Sequence, residues 1–162
     1  MEQEINGGVA AAAGFKASGV HGGIKMNKKD VCIIFSEVPA TAAGVFTTNK
    51  VVAAPVIIDK EQLAKGSKIS AIVCNSGIAN ACTGEQGIKD GWETIKIMAE
   101  QLKISEDEVI ISSTGVIGKN LLMERLAKGI SLAAKNLSKE HHTAAAEAIM
   151  TTDTFSKEYA LK

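Results

Sequence analysis

Three hydroxyl side chains and a glycine follow directly on an apolar run in the stretch VIISSTGVIG, residues 109–118. Ser112, Ser113, Thr114 and Gly115 could form a phosphate-binding loop, a nucleophile, an oxyanion pocket or a simple turn. A phosphate loop is disfavoured because neither GxGxxG nor GxxxxGK[ST] occurs around this stretch. A nucleophilic hydroxyl needs an adjacent base, and the three histidines of the chain all lie far away in sequence.

An oxyanion pocket is the third option for the same residues. The Thr114 hydroxyl and the Gly115 N–H could together donate hydrogen bonds to the negative oxygen of a tetrahedral intermediate. A strand-to-helix turn with a helix cap would use the same residue types. From chemistry alone, the pocket and the turn both remain open.

Two further stretches carry polar groups beside small residues. The segment VCNSGIANACTG (73–84) could bind a polar ligand, because its small residues let a ligand approach the backbone, or it could be a turn with Asx hydrogen bonds. The segment MTTDT (150–154) follows a predicted helix, and its threonines and Asp153 could bind an amino or carboxyl group or cap the local backbone.

Charge and hydropathy exclude several classes of partner. Lys and Arg number 18, as do Asp and Glu, so a basic surface for nucleic acid or an acidic membrane is not expected. No apolar run approaches the ~20 residues that span a bilayer, and the acidic start MEQEINGG lacks the apolar core of a secretion signal. We therefore expect a cytoplasmic protein.

Cysteine and histidine spacing argues against a metal site. Cys32, Cys74 and Cys82 form no CxxC pair, and the first two lie in apolar runs, which predicts reduced, buried thiols at those two positions. His141 and His142 are adjacent on a predicted helix and are interpreted as part of its solvated face.

Hydrophobic periodicity predicts a single mixed α/β domain over residues 1–162. Gly-rich turns join short extended pieces before residue 25. Strands are then predicted from apolar, β-branched runs at 31–36, 44–49, 54–59, 68–77, 109–113 and 155–162. Apolar residues at steps of three and four predict helices over 85–102, over 122–137 and from a Ser138 cap onward.

Five segments in this order resemble the N-terminal portion of the ornithine acetyltransferases, also called the bifunctional glutamate N-acetyltransferase/amino-acid acetyltransferase family. The resemblance runs from about Gly7 to the end of the chain. The segments are PATAAGVFTTN (39–49), APV (54–56), NSGIANACTG (75–84), SSTGVIG (112–118) and AIMTTDTF (148–155).

This resemblance implies a fold, a reaction and three site residues. The fold is a layered α/β/β/α sandwich similar to N-terminal-nucleophile hydrolases. The precursor cuts itself at an Ala–Thr bond, and the new N-terminal threonine of the β chain moves an acetyl group from N-acetylornithine to glutamate. By the resemblance, Thr114 and Gly115 form the oxyanion pair and Thr151 contacts substrate. No cofactor is implied, although acetyl-CoA remains open as an alternative donor in a bifunctional enzyme.

Two departures from the family pattern affect these expectations. Ile78 replaces the middle asparagine of NSGNANACTG, which removes an amide contact from that loop. The lysine of a GxAKGSGM-like stretch and the Ala–Thr cleavage site do not occur before Lys162. The chain is therefore expected to be an α-chain portion that lacks the nucleophile, with the β chain of the same precursor as its partner in an α2β2 heterotetramer.

Two other functions stay open beside acetyl transfer. The chain could be an inactive fragment or interaction subunit. It could also belong to a related N-terminal-nucleophile amidase or aminopeptidase.

Overall fold

The computed structural model describes residues 2–162 and contains one four-stranded sheet with the strands in sequence order. Strands β1 to β3 pair antiparallel, and β4 is parallel to β3 and forms an edge of the sheet. The strands are β1 (Phe15–Val20), β2 (Val31–Ala40), β3 (Ile69–Ile78) and β4 (Val109–Val116). The α-helices are α1 (Ala54–Ala64), α2 (Gly84–Leu102), α3 (Met123–Lys135) and α4 (His142–Ile149).

Helices α1, α2 and α3 cover one face of the sheet. Side chains alternate between the two faces of a strand, so Val31 and Ile33 of β2 reach this side together with Val109 and Ile111 of β4. They pack against apolar residues of α2 and α3, among them Ile95, Met98, Leu126 and Ile130. This layer forms the main core.

Helix α4 packs on the opposite face, against β1 and β2. Its contact is built from small residues: Ala145 and Ala148 lie against Ala17 and Cys32. These short side chains let the helix lie close to the strands. The predicted mixed α/β fold, with layers of sheet and helix, is therefore confirmed.

Most predicted elements are confirmed, but the strand predicted over 54–59 is wrong. This segment forms the first half of α1, with Pro55 at the start of the helix, where its missing N–H breaks no helical hydrogen bond. Ile58 and Gln62 lie one turn apart on the buried side. The apolar run is too short for its period to distinguish a strand from a buried helical turn.

The strands predicted over 44–49 and 155–162 are also wrong. Residues 44–49 are irregular and mostly exposed, and the C-terminal segment makes a single isolated bridge between Leu161 and Glu4. Phe155 and Tyr159 are exposed. Alternating apolar residues produce a strand only where another strand supplies backbone hydrogen bonds, and neither segment pairs with the four-stranded sheet.

No helix in the part of the chain that the structure describes is both long and apolar enough to cross a membrane.

Candidate active site

The parallel strands β3 and β4 end side by side, and this end of the sheet holds the residues predicted to do chemistry. Ser76 pairs in register with Thr114, and Gly77 pairs with Gly115. In open α/β sheets, ligands bind beyond the carboxyl ends of the strands. The candidate oxyanion pair therefore lies where the fold favours a binding site.

The backbone pattern of β4 predicts which way the Gly115 N–H faces. The Ile111 N–H, four residues earlier, donates to Asp59 Oδ1 (2.9 Å) on α1, whereas the Val116 carbonyl accepts the Ala79 N–H (2.9 Å) on the β3 side. Backbone groups of successive residues alternate between the two edges of a strand. Gly115 lies an even number of residues from Ile111, so its N–H is expected to face away from β3.

Gly115 is the residue type that this backbone requires. Its φ of +130° belongs to a region that L side chains rarely adopt, and a Cβ placed on it would lie 2.4 Å from the Gly77 carbonyl carbon. The two glycines let the ends of β3 and β4 touch. Any side chain at position 115 would push the strands apart and move its N–H.

The Thr114 hydroxyl has no hydrogen-bond partner among residues 2–162, although its neighbour Ser113 does. Ser113 donates to Asn75 Oδ1 (2.6 Å), and Asn75 donates in turn to the Ile78 carbonyl (2.8 Å). Thr114 is half-buried. The structure thus brings together a free hydroxyl and an N–H expected to face outward on adjacent residues, and it engages Ser113 in supporting the turn.

Thr151 reaches the same end of the sheet through contacts at the end of α4. The Ser76 hydroxyl donates to the Ala148 carbonyl, and the Lys25 ammonium donates to the Met150 carbonyl (2.8 Å). Ser76 is the register partner of Thr114. Thr151 is half-buried directly after Met150, so the fold places it near the oxyanion pair.

Asp153, two residues further on, is exposed and paired with Lys157 (2.5 Å). The hydrogen bond from Lys157 and its positive charge hold the pKa of Asp153 below its ordinary value. This carboxylate is held within its own turn, which agrees with the local capping interpretation of the TTDT segment.

A loop between β1 and β2 contributes Lys25 and Asp30, which the sequence pattern did not single out. Asp30 is fully buried, and its carboxylate accepts the N–H groups of Gly22 (2.5 Å), Gly23 (3.2 Å) and Lys25 (2.8 Å). A Cβ on Gly77 would meet the Lys25 stem at 3.0 Å. Burial lowers the pKa of Lys25, and the charge of Asp30 opposes that shift. Only the tertiary fold shows that this lysine reaches the site.

The polar groups of residues 73–84 bond mainly to one another and to nearby backbone. Asn80 donates to the Gly87 carbonyl (2.9 Å) and accepts from the Thr83 hydroxyl (2.9 Å). Ile78, at the family's asparagine position, is buried in the main core. The arrangement favours a hydrogen-bonded turn over a ligand-binding loop, and it gives Ile78 a packing role.

Within the described residues, no cysteine or histidine side chain forms a hydrogen bond with Thr114, Gly115 or Thr151. Cys32 is buried, and desolvation raises its pKa to about 12. His141 is exposed as predicted, but the solvated interpretation is wrong for His142, which is buried and hydrogen-bonded to Glu158 (2.8 Å). Among residues 2–162, no group of three or more His, Cys, Asp or Glu side chains is placed to hold a metal ion.

Sequence comparison connects this chain with the ArgJ family. The ArgJ family pattern matches residues 16–162. The protein named "Arginine biosynthesis bifunctional protein ArgJ" from Caldanaerobacter subterraneus subsp. tengcongensis is 54% identical over 158 residues, which cover 98% of this chain and 39% of that protein. The protein of the same name from Thermotoga neapolitana is 56% identical, covering 92% and 38%. The chain thus spans about two fifths of the length of these relatives.

Solved structures show the same fold. The crystal structure of the arginine biosynthesis bifunctional protein ArgJ from Bacillus halodurans matches with a TM-score of 0.88 and 42% identity, covering 95% of this chain and 81% of that one. Ornithine acetyltransferase from Mycobacterium tuberculosis, solved in complex with ornithine, matches with a TM-score of 0.94 and 39% identity, covering 99% and 88%. The similarity to N-terminal-nucleophile hydrolases expected from the sequence is confirmed by this match.

Proposed function

Because this chain belongs to the ArgJ family, we propose that it forms part of an acetyltransferase of arginine biosynthesis that moves an acetyl group from N-acetylornithine to glutamate. The observation that carries the proposal is the position of Thr114, whose hydroxyl has no partner among residues 2–162, and of the adjacent Gly115 at the carboxyl end of two parallel strands. The names of the relatives support the pathway, and that of the M. tuberculosis structure supports the reaction.

The proposed role of this pair follows from the chemistry of acyl transfer. Attack on the amide carbonyl of N-acetylornithine moves negative charge onto the carbonyl oxygen, and two fixed donors stabilise that charge more than the neutral substrate. Thr114 and Gly115 are proposed to be these two donors. Thr151, which follows the end of α4, is proposed to contact the substrate.

The nucleophile is proposed to lie on a partner β chain of the same precursor. In this scheme its N-terminal threonine takes the acetyl group, ornithine leaves with the proton it needs, and glutamate then accepts the acetyl group. An α2β2 assembly in the cytoplasm is part of the same proposal, and no cofactor is required by it; in a bifunctional enzyme acetyl-CoA would be an alternative acetyl donor. This chain would supply the oxyanion half of the site.

The test is an acetyl-transfer assay on the full-length protein that contains this chain, with N-acetylornithine and glutamate as substrates. We expect ornithine and N-acetylglutamate to form in equal amounts. Hydrolysis of N-acetylated or short peptides without transfer would instead favour an amidase or aminopeptidase. The 162-residue chain assayed alone is expected to be inactive; if the full-length protein is inactive too, the role of an interaction subunit is favoured.

A further inference from the structure

We propose that Lys25 is a positioning residue of this site, which fixes the orientation of Thr151 by binding the carbonyl oxygen of Met150. The inference rests on the proposed function, because it gives Lys25 a task in substrate binding. It is carried by the hydrogen bond between the two residues and by the rigid loop that delivers Lys25 to the end of α4.

The loop that carries Lys25 is folded around one buried carboxylate. The two carboxylate oxygens of Asp30 accept hydrogen bonds from three backbone N–H groups, those of Gly22, Gly23 and Lys25. Its backbone is fixed as well, since its N–H donates to the Val20 carbonyl (2.8 Å) and its carbonyl accepts the Ser76 N–H (2.9 Å). The backbone of Lys25 is therefore held relative to β3.

The Lys25 side chain crosses Gly77 on its way to α4. The absence of a side chain at Gly77 leaves room for the lysine stem, since a Cβ there would meet Lys25 Cγ at 3.0 Å. The last carbonyls of a helix lack partners within the helix, and a cation is favourable near that negative end of the helix dipole. The ammonium group satisfies the Met150 carbonyl at 2.8 Å.

The bond acts on Thr151 through peptide geometry. The carbonyl of Met150 and the N–H of Thr151 belong to the same planar peptide unit. Holding the oxygen thus fixes the direction of the Thr151 N–H and limits where its side chain can point. Without Lys25 this peptide could rotate, and the threonine would lose its orientation toward the substrate.

The test compares three variants of the full-length enzyme: Lys25→Met, Lys25→Arg and Lys28→Met. Lys28 is an exposed lysine of the same loop and serves as the matched control. For Lys25→Met we expect the KM for N-acetylornithine to rise about tenfold or more, the size of losing a charged hydrogen bond, with a smaller change in kcat. Lys25→Arg should restore most of the KM, and Lys28→Met should match the wild type.

Amide hydrogen exchange gives a readout that does not depend on activity. Lys25→Met should speed exchange in residues 150–154 while the β3 and β4 amides keep wild-type rates. Exchange and KM that both stay at wild-type values in Lys25→Met would overturn the inference. It would also be overturned if this variant kept the wild-type KM while its kcat fell and its refolding slowed, because Lys25 would then have only a structural role. A wild-type enzyme without acetyl transfer would contradict the proposed function, and the exchange experiment would still decide whether Lys25 holds the Thr151 peptide.

Discussion

At the scale of single residues, Gly115 is needed both for the local backbone conformation and for the proposed oxyanion contact. Alanine at this position would combine a φ of +130° with a Cβ 2.4 Å from backbone atoms of Gly77. We expect Gly115→Ala to lower the free energy of unfolding by roughly 3 kcal/mol or more and to abolish most activity by moving the N–H. Chemical denaturation and a transfer assay measure both effects.

Gly118→Ala is the matched control for this change. Gly118 also has a positive φ (+73°), but a Cβ there would meet nothing within 4 Å. The free energy of unfolding of Gly118→Ala should therefore fall by only about 1 kcal/mol, the strain of a left-handed backbone. Equal losses for the two variants would show that the contact with Gly77 does not matter.

Asp59 lies at the open edge of β4, and its raised pKa predicts that the stability of the protein depends on pH. Burial raises the pKa of this carboxyl to about 6, although the Ile111 N–H opposes the shift. Between about pH 4 and pH 6 the unfolded chain has lost this proton while the folded chain still holds it, so stability falls as pH rises. Asp59→Asn should remove this decrease and raise stability at pH 7 by about 1 kcal/mol, allowing for solvent screening.

The measurement is the free energy of unfolding of both proteins at several values between pH 4 and pH 7. Other groups titrate in this range, so the informative quantity is the difference between the two curves. A constant difference across the range would contradict the raised pKa of Asp59.

Residue types indicated part of this site and could not indicate the rest. Thr114 and Gly115 stand out because hydroxyl and glycine follow directly on a buried strand, but only family resemblance favoured a pocket over a turn. Lys25 and Asp30 have no such signal, since surface lysines and aspartates are common. The role of Asp30 depends on its burial, and that of Lys25 depends on its contact with Met150, which lies over 100 residues further along the chain.

At the scale of elements, the loop of residues 21–29 depends on one buried side chain. Replacing Asp30 by Asn would remove its charge and turn one acceptor oxygen into an N–H donor facing backbone donors. We expect a loss of about 3 kcal/mol in unfolding free energy, measured by denaturation. Asp107→Asn, which changes an exposed carboxylate paired with Lys65, should lose less than about 1 kcal/mol.

Helices and strands could be predicted from the sequence where the hydrophobic pattern extends over a long segment. The steps of three and four residues in α2 and α3 extend over several turns, and both helices formed as expected. The segment 54–59 is one apolar run that fits either element, and its tertiary neighbours on β4 make it a helix. At 155–162 the pattern was that of a strand, but the segment pairs only through its bridge to Glu4.

At the scale of the whole molecule, the chain presents one half of the proposed site on a stable framework. The main core holds β3 and β4 against three helices, while α4 and the Lys25 loop bring Thr151 to the same end of the sheet. The relatives are more than twice as long as this chain. The proposed nucleophile is expected in the remaining part of such a protein.

The central claim is that this chain stabilises the oxyanion of an acetyl transfer, and the most direct measurement is kcat for two variants at position 114 of the full-length enzyme. Thr114→Val removes the hydroxyl and keeps the shape, so kcat should fall by about 10²–10³. Thr114→Ser keeps the hydroxyl and should stay within roughly tenfold of the wild type. A kcat for Thr114→Val within a factor of about two of the wild type would contradict the oxyanion role of Thr114.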